Sequence, residues 1–336
     1  VEDTKEGSKK LRKSRNNIFF CTQLNDFYVP KKEIDNGKFI RNPEKPSRLS
    51  LIENYLENNF TRIPVKDYPD DIVYTVHSEK YVSYIRKKSQ EVEEEYIPEV
   101  FFVDPIFDTG TPIRRETYRA ALNAVNTVMS AVEYAIQNKK PVYALTRPPG
   151  HHAMKHYGGG YCYFNNVAIG ARYLEKLGMR VGILDIDFHH GNGTQDIFYD
   201  DRNVLYVSIH GDPRKFYPWY SGYENEIGTG KAKGTNLNIP LPGGSTFEVY
   251  KNALQKAFKK IIDYKPDFFI LSFGTDTHIN DPVGHFSLVS NDYVEIGILV
   301  SKIIEKVGNG VIVHEGGYNA KSNLSAVKNF LKGVLS

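Results

Sequence analysis

Three polar side chains stand two residues apart at the end of an apolar run: Asp185, Asp187 and His189. In an extended backbone that spacing puts all three on one face. Uncompensated buried charge costs several kcal/mol per ion, so two carboxylates on a covered face need a cation or strong hydrogen bonds. Carboxylate and neutral imidazole suit a divalent metal. Asp276, which ends an apolar run of its own, is the obvious supplier of a third ligand. Three protein ligands would leave a fourth position for water, the arrangement of a catalytic rather than a structural zinc. A lone Asp-x-His is as readily a hydrogen-bonded core pair, so the weight of this reading comes from other reactive residues in equivalent places.

Those residues follow the other apolar runs. Residues 142–146 lead into Arg147-Pro148-Pro149-Gly150-His151-His152, and 204–207 into Ser208-Ile209-His210-Gly211-Asp212. Residues 268–273 lead into Gly274-Thr275-Asp276, and 311–313 into His314-Glu315-Gly316-Gly317-Tyr318. In open parallel α/β sheets ligands bind beyond the carboxyl ends of the strands, so these are the places for a site. His151 and His152 sit where a general base beside a metal-bound water could reach. The turn at Gly316-Gly317 could bring Tyr318 close enough to donate to a developing oxyanion. With 23 tyrosines in the chain, an ordinary packed tyrosine is the default for that residue in isolation. Gly158-Gly159-Gly160 lacks a following Lys-Ser/Thr and Gly191-Asn192-Gly193 lacks a third glycine, so neither supports a nucleotide cofactor. His77, His156, His278 and His285 read as structural or surface residues.

Strands and helices must position these groups. Apolar runs at 17–21, 72–75, 142–146, 181–186, 204–209, 268–273 and 311–314 read as strands, several too continuously apolar to be half-exposed. Tyr118, Leu122, Val125, Met129, Val132 and Ile136 recur at helical spacing. So do Leu254, Phe258 and Ile261, and Tyr293, Ile296, Val300, Ile303 and Val307 ahead of Gly308. From about residue 141 the alternation predicts βαβ units and an α/β fold with parallel strands. No Pro/Ser linker or internal repeat divides the chain, so residues 1–336 read as a single domain. Residues 91–104 break the rhythm with Glu91, Glu93, Glu94, Glu95, Glu99 and Asp104 and no basic residue, for which a solvated charge run is the plainer reading.

Composition narrows the function. The chain has 336 residues, 43 Lys+Arg against 40 Asp+Glu, a formal charge of +3 and 40% hydrophobic residues, as expected of a soluble globular protein. Residues 1–15 carry a cationic surplus equal to that of the whole chain and read as a flexible basic tail. The neutral remainder is a weak footprint for nucleic acid. No stretch approaches the roughly 20 apolar residues of a membrane span. Cys21 and Cys162 form neither a disulfide framework nor a Cys/His cluster, which predicts a reducing, cytoplasmic setting.

At this point the sequence resembles the metal-dependent histone deacetylase superfamily, and within it the bacterial acetylpolyamine amidohydrolases. The carriers are RPPGHHA at 147–153, GGYCYFNN at 159–166, ILDIDFHHGNGTQDIFY at 183–199, SIHGDP at 208–213, SFGTDTHINDP at 272–282 and EGGY at 315–318. The resemblance implies an arginase/deacetylase fold, a three-layer α/β domain whose eight-stranded parallel sheet is flanked by helices. It implies one zinc ion per subunit bound by Asp187, His189 and Asp276. It implies His152 as general base and later acid, His151 as an electrostatic aid oriented by Asp185, and Tyr318 as donor to the amide carbonyl. It also implies potassium surrounded by Asp185, Asp187, His189, Ser208 and Ile209, partly through carbonyls, and a second monovalent site at Phe198, Asp201 and Val204. Two-metal arginase relatives show paired aspartates around both ligand strands. Here Gly274 stands two residues before Asp276 and His190-Gly191 follow His189, which fits one catalytic metal better.

Tyr161 and Tyr217 match the walls of the family's narrow aromatic tunnel, and Gly160 matches the backbone along the acylated arm. The implied reaction is deacetylation of a small acetylated amine, an acetylpolyamine or acetylated diamine, with release of acetate and free amine. The first alternative is an acetyl-lysine deacetylase acting on proteins or peptides, and a more distant one is a non-catalytic acyl-amine binding protein. Residues 88–112 fall where polyamine-type members carry an inserted loop near the active-site mouth, which raises the functional weight of the acidic run. Glu99 matches one of their acidic positions, whereas Gly110 stands where they have a glutamate before Thr-x-Ile. Such relatives dimerise through that loop. The expectation is therefore a homodimer with a small-molecule substrate and no nucleic-acid or membrane partner.

Overall fold

The computed structural model describes residues 18–98 and 105–336. In chain order its strands are β1 (Phe19–Thr22), β2 (Lys32–Asp35), β3 (Lys38–Arg41), β4 (Thr61–Arg62), β5 (Val142–Leu145), β6 (Val181–Asp185), β7 (Val204–Gly211), β8 (Asn236–Leu241), β9 (Phe268–Phe273) and β10 (Gly310–His314). Its α-helices are α1 (Ser50–Asn59), α2 (Glu79–Glu91), α3 (Thr117–Asn138), α4 (Asn166–Lys176), α5 (Asn192–Phe198), α6 (Phe247–Tyr264), α7 (Asp292–Val307) and α8 (Ala320–Val334). Eight strands form one sheet in the order β4-β1-β5-β10-β9-β6-β7-β8, every pair parallel, while β2 and β3 make a separate antiparallel hairpin.

Alternation along the buried strands feeds two cores, one on each face of the sheet. Val142 and Ala144 of β5, Phe268 and Ile270 of β9, and Val311 and Val313 of β10 pack on one side with Ala121, Val125, Val128 and Val132 of α3 and Val167 and Ala171 of α4. Tyr143, Leu145, Phe269, Leu271 and Ile312 turn the other way, onto Ile52 and Leu56 of α1, Leu254 and Ile261 of α6, Ile296 and Val300 of α7, and Phe330 of α8. The sandwich that results is helix, sheet, helix. Helix ends follow local chemistry. Asn165 caps α4 by accepting from Ala168 N, Asn319 caps α8, and Gly308 at φ +85° ends α7.

One expected strand is absent and two unexpected ones are present. Residues 72–75 lie in a 3₁₀ turn, Asp70–Thr75, not a strand, because Pro69 and two acids precede a segment that closes on itself by local bonds such as Ile72 N to Pro69 O. The edge strands β4 and β8 were not foreseen. β8 reads Asn236-Leu237-Asn238-Ile239-Pro240-Leu241; its proline is tolerated because it lies at the sheet edge, and its buried Asn236 and Asn238 each donate to Gln195 Oε1, at 2.9 and 2.8 Å. Both strand neighbours of the sheet centre, by contrast, fall where apolar runs put them. The four consecutive strands β5, β10, β9 and β6 point their carboxyl ends the same way, and each is followed by candidate site residues.

Candidate active site

β6 stops at Asp185, so Asp187 and His189 do not share a strand face as their spacing suggested. Side-chain turns place them instead. Asp187 N donates to Asp185 Oδ1 at 3.2 Å and His189 N to Asp187 Oδ1 at 2.9 Å, closures in which a carboxylate holds the amide two residues on. Asp276, beyond β9, meets them: ligand atoms of Asp187, His189 and Asp276 all lie within 4.8 Å of one another. His189 presents Nδ1, 2.9 Å from Asp276 Oδ2 and 3.3 Å from Asp187 Oδ1. The remaining oxygens are held from behind, Asp187 Oδ2 by Gly316 N at 2.8 Å and Asp276 Oδ1 by Phe188 N at 2.9 Å.

The donor set fits a divalent ion. A Cβ on Gly274 would lie 2.1 Å from Asp187 Oδ2, and one on Gly316 would lie 2.5 Å from that oxygen and 2.8 Å from Asp276 Oδ2, so both walls of the cradle require glycine. Burial and the neighbouring charge of Asp187 push Asp276 up to about 7, against the opposing pull of His189. Two oxygens and one imidazole nitrogen in a largely buried corner could hold a metal, one ligand fewer than a closed tetrahedral site.

His151 and His152 follow β5, their ring centroids 4.0 Å apart, in different environments. His151 Nδ1 lies 3.0 Å from Asp185 Oδ2, an oxygen that also accepts from Tyr206 Oη at 3.0 Å. Burial lowers the pKa of His151, but the carboxylates of Asp185 and Asp187 outweigh it and raise the ring to about 10. Burial and the adjacent His151 and His189 hold His152 well below the usual imidazole range, and its Nδ1 sits 2.7 Å from Asn192 Oδ1. Gly160, at φ +55°, packs so close that a Cβ there would be 2.1 Å from His152 Cδ2.

Tyr318 is positioned by residues with no evident sequence signal beyond the Glu44/Arg48 spacing. Arg48 stacks 4.4 Å over the Tyr318 ring and donates to Gly317 O at 2.6 Å and Glu315 O at 2.7 Å. Glu44 accepts from Arg48 at 2.9 Å and pairs with Arg147 at 2.9 Å, so one buried carboxylate ties the turn before α1 to the end of β5. Tyr318 N donates to Asp281 Oδ2 at 2.6 Å. His77, read as structural, is buried between Met154 O and Asn165 N, 2.9 Å from each.

Aromatic rings wall these groups on one side. Tyr217 stands edge-on to His152 at 4.9 Å and stacks on Phe107 at 6.0 Å, while Tyr161 meets Tyr318 at 5.5 Å. Asp108 pins the walls: its Oδ2 accepts from Tyr217 Oη at 2.7 Å and from Gly160 N at 2.5 Å. Glu33, on the hairpin, receives Tyr161 Oη at 3.5 Å and is pushed by burial up to about 7. Neither carboxylate was singled out from sequence, because hairpin, inserted loop and aromatic rings are distant along the chain. Glu99 and Asp104 lie outside the described residues. Glu95 is committed to architecture, accepting from Lys31 N at 2.6 Å and Lys32 N at 3.0 Å.

The residues assigned to monovalent ions are also neighbours. Ser208 on β7 is in register with Asp185 on β6, with Ile209 next to it. Phe198, Asp201 and Val204 lie where α5 returns to β7. Asp201 N donates to Phe198 O at 3.0 Å and the Asp201 carboxylate pairs with Arg172.

Residues 42–334 match the histone deacetylase domain. The chain is 37% identical over 330 residues to acetylpolyamine amidohydrolase 2 of Pseudomonas aeruginosa, spanning 90% of this chain and 94% of that protein. It is 42% identical over 229 residues to acetylpolyamine amidohydrolase 1 of the same organism, spanning 68% and 65%. Among solved structures, an acetylpolyamine aminohydrolase from Burkholderia pseudomallei superposes with a TM-score of 0.88 at 29% identity, over 94% of this chain and 98% of that one. No described helix is long and apolar enough to cross a membrane. The domain match takes in the ends of β5, β6, β9 and β10 together with every residue of the metal cradle, and the chain therefore belongs to the histone deacetylase family of metal-dependent deacetylases.

Proposed function

We propose that this enzyme is a zinc-dependent amidohydrolase that removes the acetyl group from acetylpolyamines and acetylated diamines. The observation that carries the reading is the meeting of the Asp187, His189 and Asp276 cradle with His151, His152 and Tyr318 beside Tyr161 and Tyr217, whose hydroxyls reach Glu33 and Asp108; we read these tyrosines as the walls of a slot closed at the cradle. A slim alkyl amide fits such a slot, and carboxylates along it suit a substrate with a distant ammonium. The names of the relatives above support the same class of substrate.

When bound, a divalent ion at the cradle supplies Lewis acidity toward a carbonyl and lowers the pKa of a water. His152, held neutral and oriented by Asn192, takes the proton of the attacking water and returns it to the leaving nitrogen. His151, held positive by Asp185, stabilises the negative charge that develops beside it. Tyr318 donates to the carbonyl oxygen, and Arg48 fixes the ring from which it does so. Water adds to the carbonyl carbon, the C–N bond breaks, and acetate and the free amine leave.

The further assignments carry over in the same sense. Zinc is the metal, one per subunit. Potassium lies among Asp185, Ser208 and Ile209, with a second monovalent ion at Phe198, Asp201 and Val204. Gly160, Tyr161 and Tyr217 contact the acylated arm. The enzyme acts in the cytoplasm as a homodimer; the exposed Phe39 and Ile40 of the hairpin, beside the inserted loop, support a partner on that side. Steady-state kinetics test the substrate class. N-acetylputrescine or N-acetylcadaverine is expected to give a higher kcat/KM than an acetyl-lysine peptide, and the reverse order would reject the polyamine assignment.

A further inference from the structure

We infer that Tyr220, a half-exposed residue at the mouth, is a positioning residue that sets the tautomer of His152 through Asn192. The inference rests on the reading of His152 as general base. A neutral imidazole can accept a proton at Nε2 only if its hydrogen is on Nδ1, and Nδ1 keeps that hydrogen only if its partner is an acceptor. The partner is the Asn192 amide, buried at the start of α5, whose oxygen lies 2.7 Å from Nδ1. An amide is ambiguous. Turned over, it would present NH₂ to Nδ1, drive the hydrogen to Nε2 and abolish the base.

The structure removes the ambiguity by a chain of directed bonds. Asn192 Nδ2 donates to Tyr220 Oη at 2.8 Å, and more weakly to the His152 carbonyl at 3.4 Å. A tyrosine hydroxyl could itself accept or donate, but this one donates its hydrogen to Met154 Sδ at 3.6 Å. A thioether only accepts. The hydroxyl hydrogen is thereby spent on sulfur, its lone pairs face Asn192, and the amide oxygen is left for His152. Tyr220 is held in place edge-on to Phe107, at 5.9 Å, on the same loop that supplies the slot wall Tyr217. A carboxylate at 192 would need no such device, since both of its oxygens accept.

The test uses the full-length, metal-loaded enzyme. Tyr220→Phe keeps the ring and deletes the acceptor. It is expected to lower kcat roughly tenfold, the order expected for losing one fixed hydrogen bond, with KM for an acetylated diamine within about twofold and metal content unchanged. In an Asn192→Asp background the same substitution is expected to change kcat by less than about twofold, the non-additivity of residues acting through one contact. Equal losses in both backgrounds, an unchanged kcat in Tyr220→Phe, or a rise in KM at constant kcat would overturn the inference; the last would make Tyr220 a substrate contact. Should Asn192→Asp be inactive, the split between kcat and KM in Tyr220→Phe decides alone. His152→Ala separates the two levels. Full activity there would sink the general-base reading itself, whereas a dead His152→Ala beside a silent Tyr220→Phe would sink only the role of Tyr220.

Discussion

At the closed end of the proposed slot, each side chain assigned to the reaction leaves the carboxyl end of one of four neighbouring strands, and His151, His152, Asp185, Asp187 and Asp276 are all buried. At the mouth, the residues come from separate excursions: Glu33 from the β2–β3 hairpin, Phe107 and Asp108 from the inserted loop, and Tyr217 and Tyr220 from the loop after β7. Trp219 and Tyr220 there are 59% and 52% exposed. The proposed chemistry, which tolerates little displacement, is thus mounted on the part of the fold with the fewest degrees of freedom, while the proposed substrate contacts sit on loops. Glycines mark the boundary between the regions, because Gly160, Gly274 and Gly316 let backbone approach His152 and the carboxylates more closely than any side chain would allow.

If that division is correct, substitutions at the closed end should be severe and act on turnover, and those at the mouth should be mild and act on substrate preference, except at Tyr220, which reaches back to His152 through Asn192. The largest effect is expected from Asp276→Asn, which leaves the cradle one charge short. Activity should fall more than ~10³-fold, as for other groups that act as a unit, with metal lost on dialysis and circular dichroism unchanged. Tyr318→Phe is expected to reduce kcat by about 10²–10³ with metal retained, since one donor to a developing oxyanion is removed. Gly160→Ala, which forces a Cβ into His152, should cost about 10² in kcat, the scale of displacing a catalytic group by about an ångström, without unfolding the protein. Full activity in Gly160→Ala would break the claim that the closed end is geometrically strict.

At the mouth the effect is smaller and depends on pH. Burial raises Glu33 from the ordinary carboxylate value to about 7, so its charge is absent below that pH and present above it. The KM for N-acetylputrescine, whose ammonium stays charged across this range, is expected to fall a few-fold as pH rises through about 7, and Glu33→Gln to abolish the fall. For stability the sign is opposite. The folded state binds this proton more tightly than the unfolded chain, so that contribution is fully present below the ordinary carboxyl pKa and is lost as pH rises through about 7. A pH-independent KM in the wild type would place Glu33 outside substrate recognition.

The same division governs how much could be read from sequence. The closed end was legible because apolar runs ending in clustered Asp, His and Gly mark strand termini, and parallel topology makes neighbouring termini converge. The helix repeats at 118–136 and 293–307 were equally clear, and both fall inside observed helices. The device that places Asp187 and His189 was not legible, since side-chain turns and strand alternation share a two-residue period and only coordinates tell them apart. The edge strands β4 and β8 lack the apolar continuity of the centre because one of their sides has no sheet neighbour. The mouth was hardest. Tyr161 and Tyr217 were reached only through the family resemblance; Glu33 and Asp108 lie far from them in the chain, and nothing in their local composition announces that a hairpin folds back against Tyr161.

The central claim, a single-metal site built from Asp187, His189 and Asp276, is tested most directly by stripping the enzyme with a chelator and titrating it with zinc while following both bound metal and hydrolysis of N-acetylputrescine. Activity is expected to rise linearly and saturate at about one tightly bound equivalent per chain. Full turnover by the metal-free enzyme, or an activity that appears only with a second equivalent, would contradict it.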